Sequence, residues 1–496
     1  MILPLSIFSI DLLSENLLLL ASLLFFAAIL VTKVGSRIGV PSLLLFLLLG
    51  MVAGADGFGL KFEDYGLAES IGHFAMTVIL FSAGMETSLK ETKPVFRQGA
   101  LLSTVGVLLT VLLTGLFIWL IFRDAVGMSL LGALLLAAVM GSTDSASVFS
   151  ILRDKKLRLR ENLGQMLELE SGSNDPMALT LTVILVKFLS TKGLLLCGTG
   201  YVIMKGLGVL LLQIVGGLAV GVAVGFGAKL VLDRLRFPSS TITAILILSI
   251  GFFANGFATL MKGNGLLALY CAAMIIGNKA RLVQRKEILQ FFNGLTWLMQ
   301  LVMFLMLGLL ARPSQMLKVL LPALLIGLFM MLIARPASVF LCLWPFKGTS
   351  HRAKAFVSWV GLKGAGPILF ALCPVVAGLK HSTEMFNIVY IITLFSLLVQ
   401  GGSLGRVAKK LHLSYEEDPQ ADTFGIEVPD EMGMLRDHTV SEEDLVHGDT
   451  LRDLHLPHGI RVMMVRRGDR FLVPHGSMPL EVGDRLVIIM GESDDD

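Results

Sequence analysis

Charge is what this sequence has least of. Only 16% of its 496 residues are Asp, Glu, Lys or Arg, against about 25% in a soluble domain. The shortage leaves runs such as Asn16–Val31 and Leu101–Phe122 with no ionisable side chain. An uncharged apolar stretch of roughly 18 or more residues reads as a membrane span. An ordinary soluble enzyme and a disordered chain are excluded. So is a transmembrane β-barrel, which would show short alternating segments. Cysteine is scarce too. Cys197, Cys271, Cys342 and Cys373 all lie in or beside apolar segments, and no CxxC pair exists. Neither a zinc knuckle nor a disulfide framework is supported, and the four read as small apolar packing residues. The spans hold no HExxH, GxGD or nucleophile–histidine set, so no enzymatic activity is expected. There is no TVGYG-like filter either, which disfavours the runner-up reading, a cation channel gated by the tail.

Apolar length is what the chain does have. About thirteen spans can be read, near 16–33, 39–54, 68–88, 98–122, 127–150, 163–189, 203–232, 239–260, 264–278, 289–311, 316–344, 353–379 and 385–407. No basic leader precedes the first, and Asp11 and Glu15 stand before it; it is expected to be retained. Alternate loops hold 22 Lys/Arg on one side of the membrane and 9 on the other. The richer side should be cytoplasmic. That puts the N-terminus in the periplasm and the tail inside. From Ser414 onward the chain carries 7 basic and 20 acidic residues, a balance of −13, leaving +16 for the rest. An acidic tail excludes nucleic acid as partner. The expected organisation is a transmembrane domain over 1–413, an acidic linker over 414–430 and a small regulatory domain over 431–496. Strands are expected at Ile460–Arg467, Arg470–Pro474 and Arg485–Met490, with a hairpin turn at Gly468-Asp469. The tail has no GxGxxG and no P-loop.

Ionisable groups at membrane depth are functional candidates by default. Span five carries Gly141-Ser142-Thr143-Asp144-Ser145-Ala146-Ser147, and span twelve carries Gly361-Leu362-Lys363-Gly364-Ala365-Gly366-Pro367. Both read as broken helices. Unwound backbone at this depth survives only inside protein or beside a water-filled cavity. Asp144 and Lys363 are suited to neutralise the half-helix ends, with or without a contact to substrate. The two broken spans are seven apart in order. An odd offset gives equivalent spans opposite directions, the mark of inverted repeats, here spans 1–6 and 8–13. On span six, Glu170-Ser171-Gly172-Ser173-Asn174-Asp175-Pro176 offers a carboxylate, hydroxyls and a carbonyl freed by proline. Hard oxygen ligands of this kind suit a small monovalent cation. Asp175 can hold a cation or a proton but not both, unless a basic neighbour has claimed it. Glu170, five residues earlier, faces another side of the helix and is expected to pair with Arg335 on span eleven.

These motifs, with Arg335-Pro336 between them, resemble the cation:proton antiporter-1 family, and most closely its bacterial NhaP-type members. The tail segment Gly448–Pro457 with Gly483-Asp484-Arg485-Leu486 resembles the C-terminal lobe of the RCK potassium-regulator domain. The resemblance implies an all-α polytopic membrane protein of inverted six-helix repeats with broken crossing helices, followed by a small α+β cytoplasmic domain. It implies exchange of K⁺ or Na⁺ for protons across the bacterial inner membrane, electroneutral because Asn174-Asp175 matches an Asn-Asp pair. Asp175 is the implied carrier, and Thr143 and Ser171 the implied further ligands. Glu170 and Arg335 match a structural ion pair, and Lys363 a position often held by Arg. The implied assembly is a homodimer in the lipid bilayer. The implied cofactor set is none, beyond the transported ion and a regulator of nucleotide type on the tail. The chain departs from the pattern at Ser82, where an acidic residue is usual. Glu86, a turn further on, is the candidate substitute. Gly366 stands where a bulkier aliphatic residue is common.

Overall fold

The computed structural model describes residues 17–38, 41–126, 128–155, 157–191, 199–235, 239–346, 348–416, 435–441, 444–445, 448–454, 460–468 and 470–490. They fall into two compact units, Met1–Glu416 and Glu417–Asp496.

The first unit is helical. Its helices are α1 (Leu17–Ile38), α2 (Ser42–Ala53), α3 (Tyr65–Glu86), α4 (Leu89–Arg123), α5 (Leu130–Val139), α6 (Ser145–Asp154), α7 (Leu163–Ser190) and α8 (Thr199–Arg234). There follow α9 (Ser240–Leu260), α10 (Gly265–Lys279), α11 (Arg285–Leu309), α12 (Pro313–Leu343), α13 (His351–Trp359), α14 (Ala365–Val376) and α15 (Ser382–Lys410). Helices α5 and α6 are two halves of one crossing, as are α13 and α14. Counted so, the described helices make the thirteen predicted crossings. Seven of the helices are each long and apolar enough to cross a membrane alone.

Several helix starts follow from residues that cap in the usual way. Asp64 accepts from the Leu67 N–H at 2.9 Å, Ser129 from Gly132 at 3.1 Å, Asn264 from Leu267 at 2.9 Å and Ser350 from Ala353 at 3.1 Å. Small residues fix how the helices meet, because lipid supplies no hydrophobic drive between them. The face Gly217, Gly221, Gly225 of α8 lies on Asn264, Ala268 and Ala272 around α10. A Cβ at Gly221 would come within 2.6 Å of the Ala268 carbonyl oxygen.

Two features lie beyond the predicted pattern. Helix α4 contains a π-helical turn at Leu102–Gly106, and α12 one at Met330–Ala334. These are crossings four and eleven, the same offset of seven as the broken pair. They touch: the Thr110 and Ser338 hydroxyls are 2.7 Å apart, and the Phe117 and Phe329 rings stack with centroids 3.8 Å apart. The second feature corrects an expectation. Ser414–Glu416, read as the opening of an acidic linker, is a strand. This β2 pairs antiparallel with β1 (Leu157–Leu159), which lies between α6 and α7. Arg160 reinforces the pairing by donating its N–H to the Leu413 carbonyl at 2.9 Å and laying its guanidinium 5.9 Å from the Tyr415 ring. The loop after crossing five and the flank after crossing thirteen therefore share one face, as the alternation of basic loops predicts. The rest of the expected linker lies outside the described residues.

The second unit holds a four-stranded antiparallel sheet in the order β3-β6-β4-β5, made of β3 (Leu435–Thr439), β4 (Ile460–Arg467), β5 (Arg470–Leu472) and β6 (Arg485–Met490). Arg467 pairs with Arg470 in register, which leaves the predicted two-residue turn, and Gly468 there has φ of 59°. Val440, Leu454, Val465, Met478, Leu480, Leu486 and Ile488 make its core. Asp484 is 2% exposed yet charged, because Arg467 donates to both its oxygens at 2.9 and 2.6 Å and the Glu481 N–H donates at 2.9 Å. Burial alone would raise this carboxyl, but those bonds outweigh it and hold it below the usual carboxylate range. A carboxylate depressed on folding adds stability that is whole above its unfolded value of about 3.9 and drains away as pH falls through the folded value. Asp484→Asn should therefore cost this unit about 1.5–3 kcal/mol near neutral pH, with the loss shrinking below pH ~4. Hydrogen exchange of β4 and β6 within the full chain, measured across that range, reads both effects.

Candidate functional site

The site is built where the two broken crossings meet. Between α5 and α6 the backbone leaves helical geometry at Met140, and it leaves again between α13 and α14 at Val360. Each interruption satisfies the other. The Asp144 N–H donates to the Leu362 carbonyl at 2.8 Å, and the Lys363 ammonium donates to the Ser142 carbonyl at 2.8 Å. Lys363 also donates its own N–H to Ser396 Oγ at 2.9 Å, and Ser396 donates to Gln400 Oε1 at 2.5 Å. This is the backbone accounting that a dry environment demands. The close crossing needs Gly364, since a Cβ there would lie 2.1 Å from Asp144 Oδ2.

The charges are placed against the half-helix dipoles. Asp144 sits at the start of α6, with Oδ1 accepting from the Ser147 N–H at 3.1 Å and Oδ2 from its hydroxyl at 2.5 Å. Lys363 reaches a carbonyl just past the end of α5. A carboxylate at a helix N-terminus and a cation beyond a C-terminus are both stabilised there.

Helix α7 passes beside this crossing and brings Ser171, Asn174 and Asp175 to it. Asn174 is fully buried. It donates to Thr143 Oγ1 at 2.5 Å and accepts from the Thr143 N–H at 3.4 Å. Ser171 donates to the Thr143 carbonyl at 2.7 Å and accepts from the Ser145 N–H at 3.0 Å. Three of the four residues expected to bind an ion thus also staple α7 to the unwound segment. Asp175 is only half-buried. Its Oδ1 accepts a hydrogen bond from Ser142 Oγ.

Ser142 was not singled out as a ligand from the sequence, although it stands inside the quoted motif. A hydroxyl's aim cannot be read without knowing which backbone it crosses. The structure also accounts for Gly366. A Cβ there would fall 2.7 Å from Ser142 Oγ, so the usual bulkier residue would push aside the hydroxyl that Asp175 uses.

Glu170 and Arg335 are brought together, with Oε1 and Nη2 2.5 Å apart and the side chains 1% and 6% exposed. Arg335 Nε also faces Gly361, at 3.3 Å from where a Cβ would stand. The hydrogen bond that Asp175 accepts involves neither Ser82 nor Glu86. Among the described residues the bonds around Asp175 come from Ser142, Thr143 and α7, with none from α3. Ser82 is buried within α3, and Glu86 is exposed at its end. There Glu168, an ionisable group of span six, meets two partners that the sequence did not point to, Thr87 and Tyr270. The Thr87 hydroxyl donates to Glu168 Oε1 at 3.2 Å and lies 3.3 Å from the Tyr270 hydroxyl. The Tyr270 ring covers Gly172, where a Cβ would be 2.5 Å from its Cζ. One buried tyrosine in an apolar span was the signal available.

Crossed, interrupted helices with ionisable groups at the crossing define the architecture of a secondary transporter. Comparison with known proteins agrees. The family model described as "Sodium/hydrogen exchanger, transmembrane" matches residues 21–410, and the TrkA-C domain model matches 435–494. The chain is 36% identical over 481 residues to the "K(+)/H(+) antiporter NhaP2" of Shewanella oneidensis, covering 96% of this chain and 81% of that one. It is 36% identical over 491 residues to the "K(+)/H(+) antiporter NhaP" of Alkalimonas amylolytica, with the same coverage. Among solved structures, the sodium proton antiporter MjNhaP1 of Methanocaldococcus jannaschii shares the fold. Its TM-score is 0.66 at 21% identity, over 79% of this chain and 97% of that one. The chain belongs to the sodium/hydrogen exchanger family and carries a C-terminal TrkA-C domain.

Removing one member of a buried ion pair strands the other, at a cost of about 3–5 kcal/mol, whereas replacing both with apolar groups is often neutral. Arg335→Met alone should therefore lower the unfolding temperature markedly, and Glu170→Leu with Arg335→Met should recover most of it. Thermal unfolding in detergent compares the two; equal losses would deny the pair a purely positional role.

Proposed function

We propose that this protein exchanges cytoplasmic K⁺, or Na⁺, for external protons, with Asp175 as the group that holds each in turn. The observation that carries this reading is the state of Asp175 at the crossing. It is half-buried, and its hydrogen-bond partner is a neutral hydroxyl, while the nearby Lys363 ammonium is directed to a backbone carbonyl. A carboxylate in that position is reachable and is free to bind or release a cation. Asn174, Ser171 and Thr143 supply oxygens to a bound ion through lone pairs that their stapling bonds leave over.

The charges around the crossing support the same reading. Asp144, Asp175 and Glu170 face Lys363 and Arg335, three carboxylates against two bases. The excess of one negative charge is costly at this depth. One proton or one alkali cation on Asp175 removes it. The loaded site is neutral with either passenger, which is the physical basis for one-for-one, electroneutral exchange. The relatives' names favour K⁺ over Na⁺.

The protein sits in the bacterial inner membrane with its basic loops and the β1–β2 face toward the cytoplasm. The N-terminus is then periplasmic and the tail cytoplasmic. It works as a homodimer in which the crossing moves against a scaffold, and the TrkA-C domain adjusts the rate in response to a small ligand of nucleotide type. Lys363 and Asp144 hold the break together without touching the ion.

The test uses everted vesicles and compares K⁺, Na⁺, Rb⁺ and Li⁺. Asp175→Asn should insert and accumulate normally but lose cation-evoked proton movement by two orders of magnitude or more, on the order of what loss of an essential proton-transfer group causes. Full activity in that variant would reject the assignment, and a pH-independent current would favour a channel.

A further inference from the structure

At the end of α3 away from the β1–β2 face lies a second cluster with a different chemistry. Glu69 and His73 are one helical turn apart on α3, and Cys373 stands on the outer half of crossing twelve, in α14. Their ligand atoms, a carboxylate oxygen, an imidazole nitrogen and a sulfur, all lie within 4.8 Å of one another. His73 Nε2 and Glu69 Oε1 are 3.9 Å apart, with the side chains 34% and 23% exposed, and Cys373 is 9% exposed. From the sequence Cys373 read as a packing residue. The fold instead turns its sulfur toward two other metal-ligating groups on a neighbouring helix.

We propose that Glu69, His73 and Cys373 form a binding site for a divalent transition-metal ion of the zinc class, and that the bound ion pins α3 to α14 and slows exchange. The donor set is the argument for the metal. Nitrogen, sulfur and one carboxylate oxygen are the ligands of a borderline-soft ion, which binds S at about 2.3 Å and N or O at about 2.0–2.2 Å in a tetrahedron. Such a tetrahedron separates its ligand atoms by roughly 3.3–3.8 Å, so the His73–Glu69 pair, at 3.9 Å, is close to that spacing already, and side-chain rotation of about an ångström brings in any ligand atom at the 4.8 Å limit of the cluster. Three protein ligands leave the fourth position to water, and the partial exposure of His73 and Glu69 supplies the way in. The thiol gives up its proton to solvent when the sulfur–metal bond forms. A transported alkali ion prefers oxygen alone, so this site does not compete with Asp175 for its passenger.

The reason for slowed exchange is a run of contacts. Glu69, His73 and Met76 share one face of α3, at spacings of four and three. A Cβ at Gly366 would lie 3.4 Å from Met76 Cε and 2.7 Å from Ser142 Oγ, the hydroxyl that bonds Asp175. One turn along, Leu369 of α14 packs into the notch at Gly72 of α3. A metal bridging residues 69, 73 and 373 therefore ties α3 to the helix whose Gly366 lies against Ser142, and any cycle in which the two helices slide must first break it.

The test uses the purified full-length protein and ZnCl2 alone. Equilibrium dialysis in detergent should find one tight Zn²⁺ per chain. Cys373→Ala and His73→Gln should each weaken it at least ~tenfold, the loss that even an outer-shell partner of a metal site commands, and Cys342→Ala should not. In proteoliposomes Zn²⁺ should slow the cation-evoked proton flux reversibly with EDTA, and the two site variants should transport without zinc and resist slowing. No stoichiometric binding, or binding undiminished in both site variants, overturns the site. Binding without slowing, or slowing that persists in both variants, overturns the clamp. The binding arm needs no transport, so its outcome stands apart from the assignment of Asp175.

Discussion

Two stretches of unwound backbone lie at membrane depth in this protein, and neither is tenable alone. Without water each unpaired N–H or carbonyl costs several kcal/mol. The solution is reciprocal: Asp144 gives its N–H to the Leu362 carbonyl, and Lys363 gives its ammonium to the Ser142 carbonyl. Each break is a ligand for the other. It follows that neither can shift by itself. A displacement that opened one would expose polar groups on both, so any motion of the crossing through the membrane has to carry both interrupted helices together. Helix α7 is bound into the same unit through Asn174 and Ser171 on Thr143. The carboxylate of Asp175 is thereby fixed to the crossing and would travel with it.

That fixation gives the charge imbalance its meaning. Glu170 and Arg335 neutralise each other at 2.5 Å, and Asp144 and Lys363 are each set against a half-helix end. What is left is one carboxylate with no counter-charge assigned to it. A second base at Asp175 would make the unit stable when empty and remove the need for a passenger. A second unpaired carboxylate would call for two. On the proposed exchange, the number of ions carried per cycle would be set by how many of the buried acids lack a fixed partner, a property of the whole crossing and not of Asp175 alone. The π-helical turns of α4 and α12 belong to the same arrangement. Arg335, which meets Glu170, stands directly after the turn at Met330–Ala334, the kind of π-helical bulge that often marks functional sites.

The large features were legible in the sequence because the solvent writes them. Hydrocarbon thickness sets span length, so thirteen crossings could be counted, and glycine-rich polar runs in mid-span could only be breaks. Asp175 stood out for the same reason, as an ionisable group at that depth, whereas Asn174 and Thr143 were singled out through the family resemblance. What was not legible depends on which backbone lies opposite. Ser142 reaches Asp175 only because Gly366 leaves room across the crossing. The Thr87 hydroxyl, just past the end of α3, meets Glu168 and Tyr270, a pairing that no spacing within α3 announces. Three residues, Ser414–Glu416, are too few to show a strand pattern before their partner Leu157–Leu159 is known. The π-helical turns have no composition of their own.

The exposed apolar side chains sort the first unit into parts with different work. Helix α8 buries its glycine face on α10 and turns Leu207, Leu211, Val215, Leu218, Val222, Phe226 and Leu230 outward. A stripe of that length with no polar residue is a surface for acyl chains, which cover it at no cost. Around the crossing the reverse holds: Glu170, Ser171 and Asn174 of α7 and Lys354 and Ser358 of α13 are buried, and Gly364 lets the two interrupted helices approach closely. A bundle in which one set of helices is held by reciprocal polar bonds and another by lipid and small-residue contacts has an obvious plane of slip between them. The polar set resists rearrangement internally, because every broken bond there strands a buried group. The apolar set offers little resistance to sliding, because one apolar contact replaces another. The proposed exchange would therefore be cheapest as a rigid displacement of the crossing past its neighbours, with Asp175 as the carboxylate that such a displacement would carry.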